Sequence, residues 1–554
     1  MWHVTVHGAG GRARARRTRR WVRLAAASTA TAVALACTSV AAAPLASAGL
    51  NEDVIVTATG LLSPVNAVLQ VGGTVLQQFR RVNAVEALVP TLLEPVLAAL
   101  PGITVTPNVS VNVQSSTQES TGPHTPSDAF LQQTGAAQLA AAGDTGQGVT
   151  VAVLDTGIDR LPDFSGRLIG GVDFTGESNP YKDDYGHGTF VAGLIAGNGA
   201  SSGGQYSGEA PGAKLVSIKT AGATGVTNMA TVMDGVEWAV DNQSAYGIQV
   251  LNMSLGFQPF SSTVLNPLDM EVEAAWNSGI AVVTSAGNAG PFNGTILSPA
   301  DDPLVITVGA LDDMAQNNVS SDEMNDFSSV GPTSPDGYIK PDLVTSGRSV
   351  VSLAAPGSTI YNRYPSARIG SANFVGSGTS FSAAITSGAA ALVLADNPGL
   401  TTDQVKARLL GTTNPGPVGN PFADGHGALN AYAAATGPSL DYNQSTLGLL
   451  ATVLGSTVSL SVSVRYDTWN ETLWSGVSWP QLGSGLSWNG YDWNGSDWNG
   501  FTWSGSAWNS REWNGSAWNG KEWNDSAWSG KEWNQSAWDG AAWTGKEWNS
   551  SAWN

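Results

Sequence analysis

From Val149 onward, short apolar runs alternate with stretches of helical periodicity. The runs are Val149–Leu154, Lys214–Thr220, Ile248–Met253, Ile280–Thr284 and Leu304–Val308. Several are continuously apolar, as in parallel strands covered on both faces. Between them Phe190–Ala196, Met229–Val240 and Met270–Asn277 read as helices. The alternation predicts an α/β domain with a central parallel sheet flanked by helices. Sites in such sheets form beyond the carboxyl ends of the strands, so functional side chains are sought just after the apolar runs.

The flanks follow other patterns. In residues 49–122, Val85–Leu100 reads as a helix interrupted by Pro90 and Pro95, while Ile103–Thr106 and Val109–Val113 alternate like strands. Ser115–Ser127 is rich in Ser, Thr and Pro and reads as a linker. Residues 437–484 read as a second linker. In residues 485–554, Trp recurs every five positions from Trp488 to Trp553, each followed by Asn, Ser, Asp or Thr. A period of five fits neither a helix nor a coiled coil. A turn-linked repeat and a low-complexity tail both remain open. Arg12–Arg23, the uncharged stretch Leu24–Ala42 and Ala46-Ser47-Ala48 together form a basic, apolar and small-residue series. That series predicts a secretory signal over residues 1–48, with no transmembrane anchor after cleavage. Arg16-Arg17 and Arg19-Arg20 leave general and twin-arginine export both open.

Composition narrows the chemistry. The chain has 554 residues, a 42 % hydrophobic share and a net charge of −19. Seven of the 25 basic residues lie in the predicted signal, leaving 18 against 44 acidic ones. A nucleic-acid partner held by charge is excluded as an expectation, because phosphate binding needs a basic face. Cys37 is the sole cysteine and lies in that signal, so neither a disulfide nor a cysteine-based zinc site is available to the rest of the chain.

Three segments carry nucleophilic chemistry. Val151–Leu154 runs into Asp155-Thr156-Gly157, a carboxylate at a strand's carboxyl end. Gly186-His187-Gly188-Thr189 opens an apolar helix thirty-two residues on. Gly378-Thr379-Ser380 opens another, running to about Ala395. These segments, in this order, resemble the subtilisin-like serine peptidases (subtilases), as do Asn252-Met253-Ser254-Leu255-Gly256 and Ser285-Ala286-Gly287-Asn288. The likeness covers about residues 125–436, giving a catalytic domain expected at 123–436.

The resemblance implies a secreted serine endopeptidase acting on proteins or peptides through an acyl-enzyme. Asp155, His187 and Ser380 are its expected triad and Asn288 its oxyanion donor. Ser254, Leu255, Gly256, Gly225, Val226 and Thr227 are the expected substrate-binding edges. A serine hydroxyl is a poor nucleophile without an adjacent base. His124 lies in the linker and His426 in a Gly-rich loop, so His187 is the expected base. Asp159, Asp163 and Ser382 are the neighbouring decoys. The family usually has proline four residues after the serine, often followed by His; here the pair is Ala384-Ile385. Residues 49–122 are expected as an inhibitory pro-segment cut off by Ser380. The chemistry needs no cofactor. Calcium is a common structural ion in that family, but no loop here specifies ligands, so no metal ligand is assigned. Exposed Trp faces in the tail suit stacking on sugars, which would retain the enzyme on cell-wall polymer; binding protein or only protecting the terminus are equal alternatives. The alternative is an inert peptidase fold acting as an adhesion protein through that tail.

Overall fold

The structure is a computed structural model that describes residues 51–60, 62–113 and 125–437. The predicted signal, most of the first linker with His124, and the Trp repeat lie outside the described residues.

The first part is a small α/β sandwich. Its order is β1 (Asn51–Ala58), α1 (Pro64–Gln70), β2 (Thr74–Phe79), β3 (Ala84–Pro90), α2 (Glu94–Ala98) and β4 (Ile103–Pro107). The strands form an antiparallel sheet in the order β2-β3-β1-β4, a split βαβ arrangement. The helix expected over Val85–Leu100 is corrected: Ala84–Pro90 is a strand and only Glu94–Ala98 is helical. Val85, Ala87 and Val89 alternate inward against Val54 and Val56, and this period of two decides the element. A further strand, β5 (Ser110–Val113), leaves the sandwich for a different sheet.

Two short helices, α3 (Phe130–Gln133) and α4 (Ala136–Ala142), lead into the larger domain. Its strands are β6 (Thr150–Asp155), β7 (Leu168–Asp173), β8 (Lys214–Lys219), β9 (Val226–Asn228), β10 (Ile248–Met253), β11 (Leu255–Gly256), β12 (Ala281–Ser285), β13 (Ile306–Asp312), β14 (Glu323–Met324), β15 (Leu343–Ser346), β16 (Val350–Leu353), β17 (Arg368–Ile369) and β18 (Asn373–Gly376), the last three forming a separate small sheet. Its helices are α5 (His187–Ala196), α6 (Met229–Asp241), α7 (Gln243–Tyr246), α8 (Pro267–Asn277), α9 (Thr359–Arg363), α10 (Thr379–Asp396), α11 (Thr402–Gly411) and α12 (Ala431–Thr436). The central sheet runs β14-β13-β12-β10-β6-β8-β7, with β15 also on β13; every pairing is parallel except that of β14. All six residues of β6 are buried, as the unbroken apolar run predicted. Residues 313–350 are mostly loop but contribute β14 and β15 to this sheet. Helix α10 is long and apolar enough to span a bilayer, but it is buried from Thr379 to Leu394 across β10, β12 and β13.

The sandwich docks on α6. Gln77 donates to Asp234 at 3.1 Å, the Arg80 amide to Glu237 at 2.8 Å, and Arg81 pairs with Asp241. Asn108 donates to Asp53 and Glu86 and accepts from the Ala230 amide, each at 3.0 Å. Burial pushes Glu86 up to about 7, with Asp53 and Asp234 adding to it. Burial likewise pushes Asp234 up to about 6. Docking therefore favours the protonated acids. Their contribution is complete below the ordinary carboxylate range of roughly 4 and is lost as pH rises through about 6 to 7. Hydrogen-exchange protection of β1–β4, corrected for intrinsic rates, is expected to fall between pH 5 and pH 8, and Glu86→Gln to flatten that fall. Protection that rises with pH would reject the assignment.

Candidate active site

Asp155 ends the central strand β6, and His187 is the first residue of α5. The histidine Nδ1 lies 2.9 Å from both carboxylate oxygens of Asp155. Both residues are 1 % exposed. Two glycines permit the approach. Gly186 has φ 105°, a left-handed conformation that sets the helix start. A Cβ on Gly188 would lie 2.2 Å from the Gly157 carbonyl, so any side chain there would push α5 off the aspartate turn. Asp183 ties the two ends together. Its carboxylate accepts from Thr156 Oγ1 at 2.7 Å, the Gly186 amide at 2.6 Å and the Thr189 amide at 2.8 Å. Burial pushes Asp183 up to about 6 against these three donors.

Ser380 is the second residue of α10, where backbone N–H groups lack helical partners. Its Oγ lies 3.3 Å from the Ser254 carbonyl. The His187 ring sits 5.6 Å from that of Phe381, which also packs on Phe190 at 4.3 Å. The His187 Nε2 is buried and carries no hydrogen bond. With Nδ1–H donated to Asp155, this nitrogen is the free acceptor a general base requires.

Asn288 follows β12 in the loop beside α10. Its Oδ1 accepts from the Thr379 amide at 2.9 Å and from Thr379 Oγ1 at 3.0 Å. Those donors fix the amide orientation, and the Nδ2 group is left buried without a partner. An unused donor one residue from the serine is what a developing oxyanion needs. Asn288→Ala is expected to lower kcat by about 10²–10³, a magnitude carried over from subtilisin itself, with KM nearly unchanged. Steady-state kinetics check this, and a loss below about tenfold would remove Asn288 from the oxyanion role.

Five of the six expected substrate-binding residues gather around one strand, β5. β5 runs antiparallel to β9, with Val111 opposite Thr227 and Asn112 opposite Val226. On its other side Val113 faces Leu255 and Asn112 faces Gly256. The Val113 amide donates to the Gly225 carbonyl at 3.0 Å. Ser254 lies under Ser380 and donates to its carbonyl at 3.0 Å.

The decoys have other partners. Asp159 accepts from the Asp183 amide, Asp163 from Ser201, and Ser382 Oγ donates to the Thr345 and Ser346 carbonyls. The His426 amide donates to the Asp342 carbonyl in its loop. Sequence reasoning did not single out Asp183, Thr379 or Phe381. A carboxylate just before a helix start was the available signal for Asp183. Among the described residues, no group of three or more His, Cys, Asp or Glu is placed to hold a metal ion.

This fold, with an aspartate–histidine pair at the carboxyl edge of a parallel sheet beside a helix-borne serine, defines a subtilisin-like serine endopeptidase. Residues 146–443 match the model of the subtilase family, and the chain belongs to that family. It is 43 % identical to serine protease AprX of Bacillus subtilis (strain 168) over 298 residues, which is 53 % of this chain and 67 % of that one. It is 33 % identical to subtilisin E of the same organism over 366 residues, covering 66 % and 84 % of the two chains. The crystal structure of fervidolysin from Fervidobacterium pennivorans, a keratinolytic enzyme related to subtilisin, shares the fold with a TM-score of 0.56 at 24 % identity. That likeness covers 71 % of this chain and 62 % of fervidolysin.

Proposed function

We propose that the chain is an exported, self-processing endopeptidase whose triad is Asp155, His187 and Ser380. The observation that carries the triad is the 2.9 Å bond from buried His187 to Asp155, with the outer ring nitrogen left as a free acceptor. Ser380 Oγ adds to the scissile carbonyl carbon while His187 Nε2 takes its proton. The oxyanion receives hydrogen bonds from Asn288 Nδ2 and the Ser380 amide. Collapse breaks the C–N bond, and His187 returns the proton to the leaving amine. Water then repeats the sequence on the acyl-enzyme and regenerates Ser380. Asp155 holds the tautomer and stabilises the imidazolium.

Residues 49–122 act as the pro-segment. Support comes from β5, which pairs with both cleft edges as a substrate strand would. The cut then falls between Val113 and Ser127, which is bridged to Val350 in the catalytic domain. The signal at 1–48 sends the chain outward, and the Trp repeat at 485–554 retains it on wall polymer. Capture of residues 470–554 on isolated wall polymer tests retention, and no capture rejects it. A fluorophosphonate probe tests the enzyme: one label per chain is expected at Ser380 and none on Ser380→Ala. An unlabelled native protein would reject the catalytic reading.

A further inference from the structure

Catalytic geometry depends on where α10 sits along β10. Most of the helix surface is small and apolar, including Ala383, Ala384, Ala389, Ala390 and Ala391, all buried. Apolar contact is non-directional, so it holds the helix down without setting its axial position. The usual proline after the nucleophile is also absent, Ala384 standing there.

Directional bonds hold the first turn of α10 at Thr379 and Ser382, and a buried polar chain adds one between the helix and the end of β10. Ser387 lies two turns beyond Ser380 on the same face of α10. Its Oγ donates to Asn252 Oδ1 at 3.0 Å. Asn252 Nδ2 donates to Ser254 Oγ at 3.0 Å. Ser254 Oγ donates in turn to the Ser380 carbonyl at 3.0 Å. All four residues are 0 % exposed. The direction of every bond is determined. The Ser380 carbonyl only accepts, so Ser254 must give it its hydrogen and accept from Asn252 Nδ2, which turns Asn252 Oδ1 toward Ser387 and leaves Ser387 as the donor. The amide nitrogen only donates, so the Ser254 hydrogen is left for the Ser380 carbonyl. The ring closes from α10 through the end of β10 and back to α10.

We infer that Ser387 is a positioning residue for the Ser380 nucleophile, acting through Asn252 and Ser254. It touches no substrate. It locks the amide whose orientation determines the hydroxyl that grips the Ser380 backbone. Displacements of about 1 Å at a nucleophile can cost on the order of 10²-fold in rate, so a small slackening is measurable.

The inference rests on Ser380 being the nucleophile, and the experiment separates the two. Native protein, Ser387→Ala, Ser254→Ala and the double variant are titrated with a fluorophosphonate, and kcat and KM are measured per reactive serine. Ser387→Ala is expected to lower kcat about tenfold with KM within about twofold. In the Ser254→Ala background the same change is expected to cost less than about twofold, because the chain is already cut. A purely structural serine would lower the amount of titratable enzyme and leave kcat per site intact. Unchanged kcat, or losses that multiply in the double variant, would overturn the inference while Ser380 still reacts. A native protein without a reactive Ser380 would overturn the peptidase reading and this inference with it.

Discussion

Ser380→Ala is expected to lower kcat on the order of 10⁶-fold, the figure found for subtilisin itself. In the proposed mechanism the Ser380 oxygen forms the acyl bond. The neighbouring hydroxyls on the helix are engaged: Thr379 Oγ1 donates to Asn288, and Ser382 Oγ shares its hydrogen between the Thr345 and Ser346 carbonyls of β15. Residual hydrolysis from the oxyanion donors and substrate binding is expected to remain above the uncatalysed rate by about 10³–10⁴. Stability should change by about 1 kcal/mol, the net worth of an ordinary hydrogen bond. A lost activity with an unchanged melting temperature therefore reports chemistry and not unfolding. The same variant tests self-processing. It should keep residues 51–113 attached when produced pure, and a processed Ser380→Ala protein would show that another peptidase makes the cut.

Asp155→Asn is expected to lower kcat by about 10⁴, the loss known for this substitution in a serine-peptidase triad. The local bonds explain why this nearly isosteric change should matter. Asp155 Oδ1 accepts from the Thr156 amide at 2.8 Å, so an asparagine would keep its oxygen there. Its NH2 group would then face His187 Nδ1. The NH2 would stand 2.9 Å from Nδ1 and compete with the retained oxygen, favouring the tautomer in which Nδ1 accepts and the ring proton sits on Nε2, which removes the base proposed for Ser380. The bond length would hardly change, so the defect lies in the tautomer. Single-turnover acylation rates measure it directly, and a loss below about tenfold would show that Asp155 does not control the proton.

Much of this site was legible along the chain because its parts are local. The aspartate stands at the end of an unbroken apolar strand, and the histidine and serine each stand at a helix start after glycine. Such signals depend on neighbouring residues, so they survive without knowledge of the fold. The helix expected over Val85–Leu100 failed for the opposite reason. Its apolar residues suit more than one local conformation, and pairing of Ala84–Pro90 between two other strands decided the outcome.

By itself the sequence determined the α/β class and the chain order of the candidate aspartate, histidine and serine. Only the tertiary structure decided that Asn288 turns its amide nitrogen away from Thr379, that Asp183 fastens one reactive turn to the other, and that β5 lies between the cleft edges. These depend on atoms brought together from segments as far apart as Asn288 and Thr379, or Asn112 and Val226. Periodicity and propensity report what a residue does to its neighbours in the chain. Hydrogen-bond direction between distant segments is set only when folding removes water and leaves each donor one acceptor.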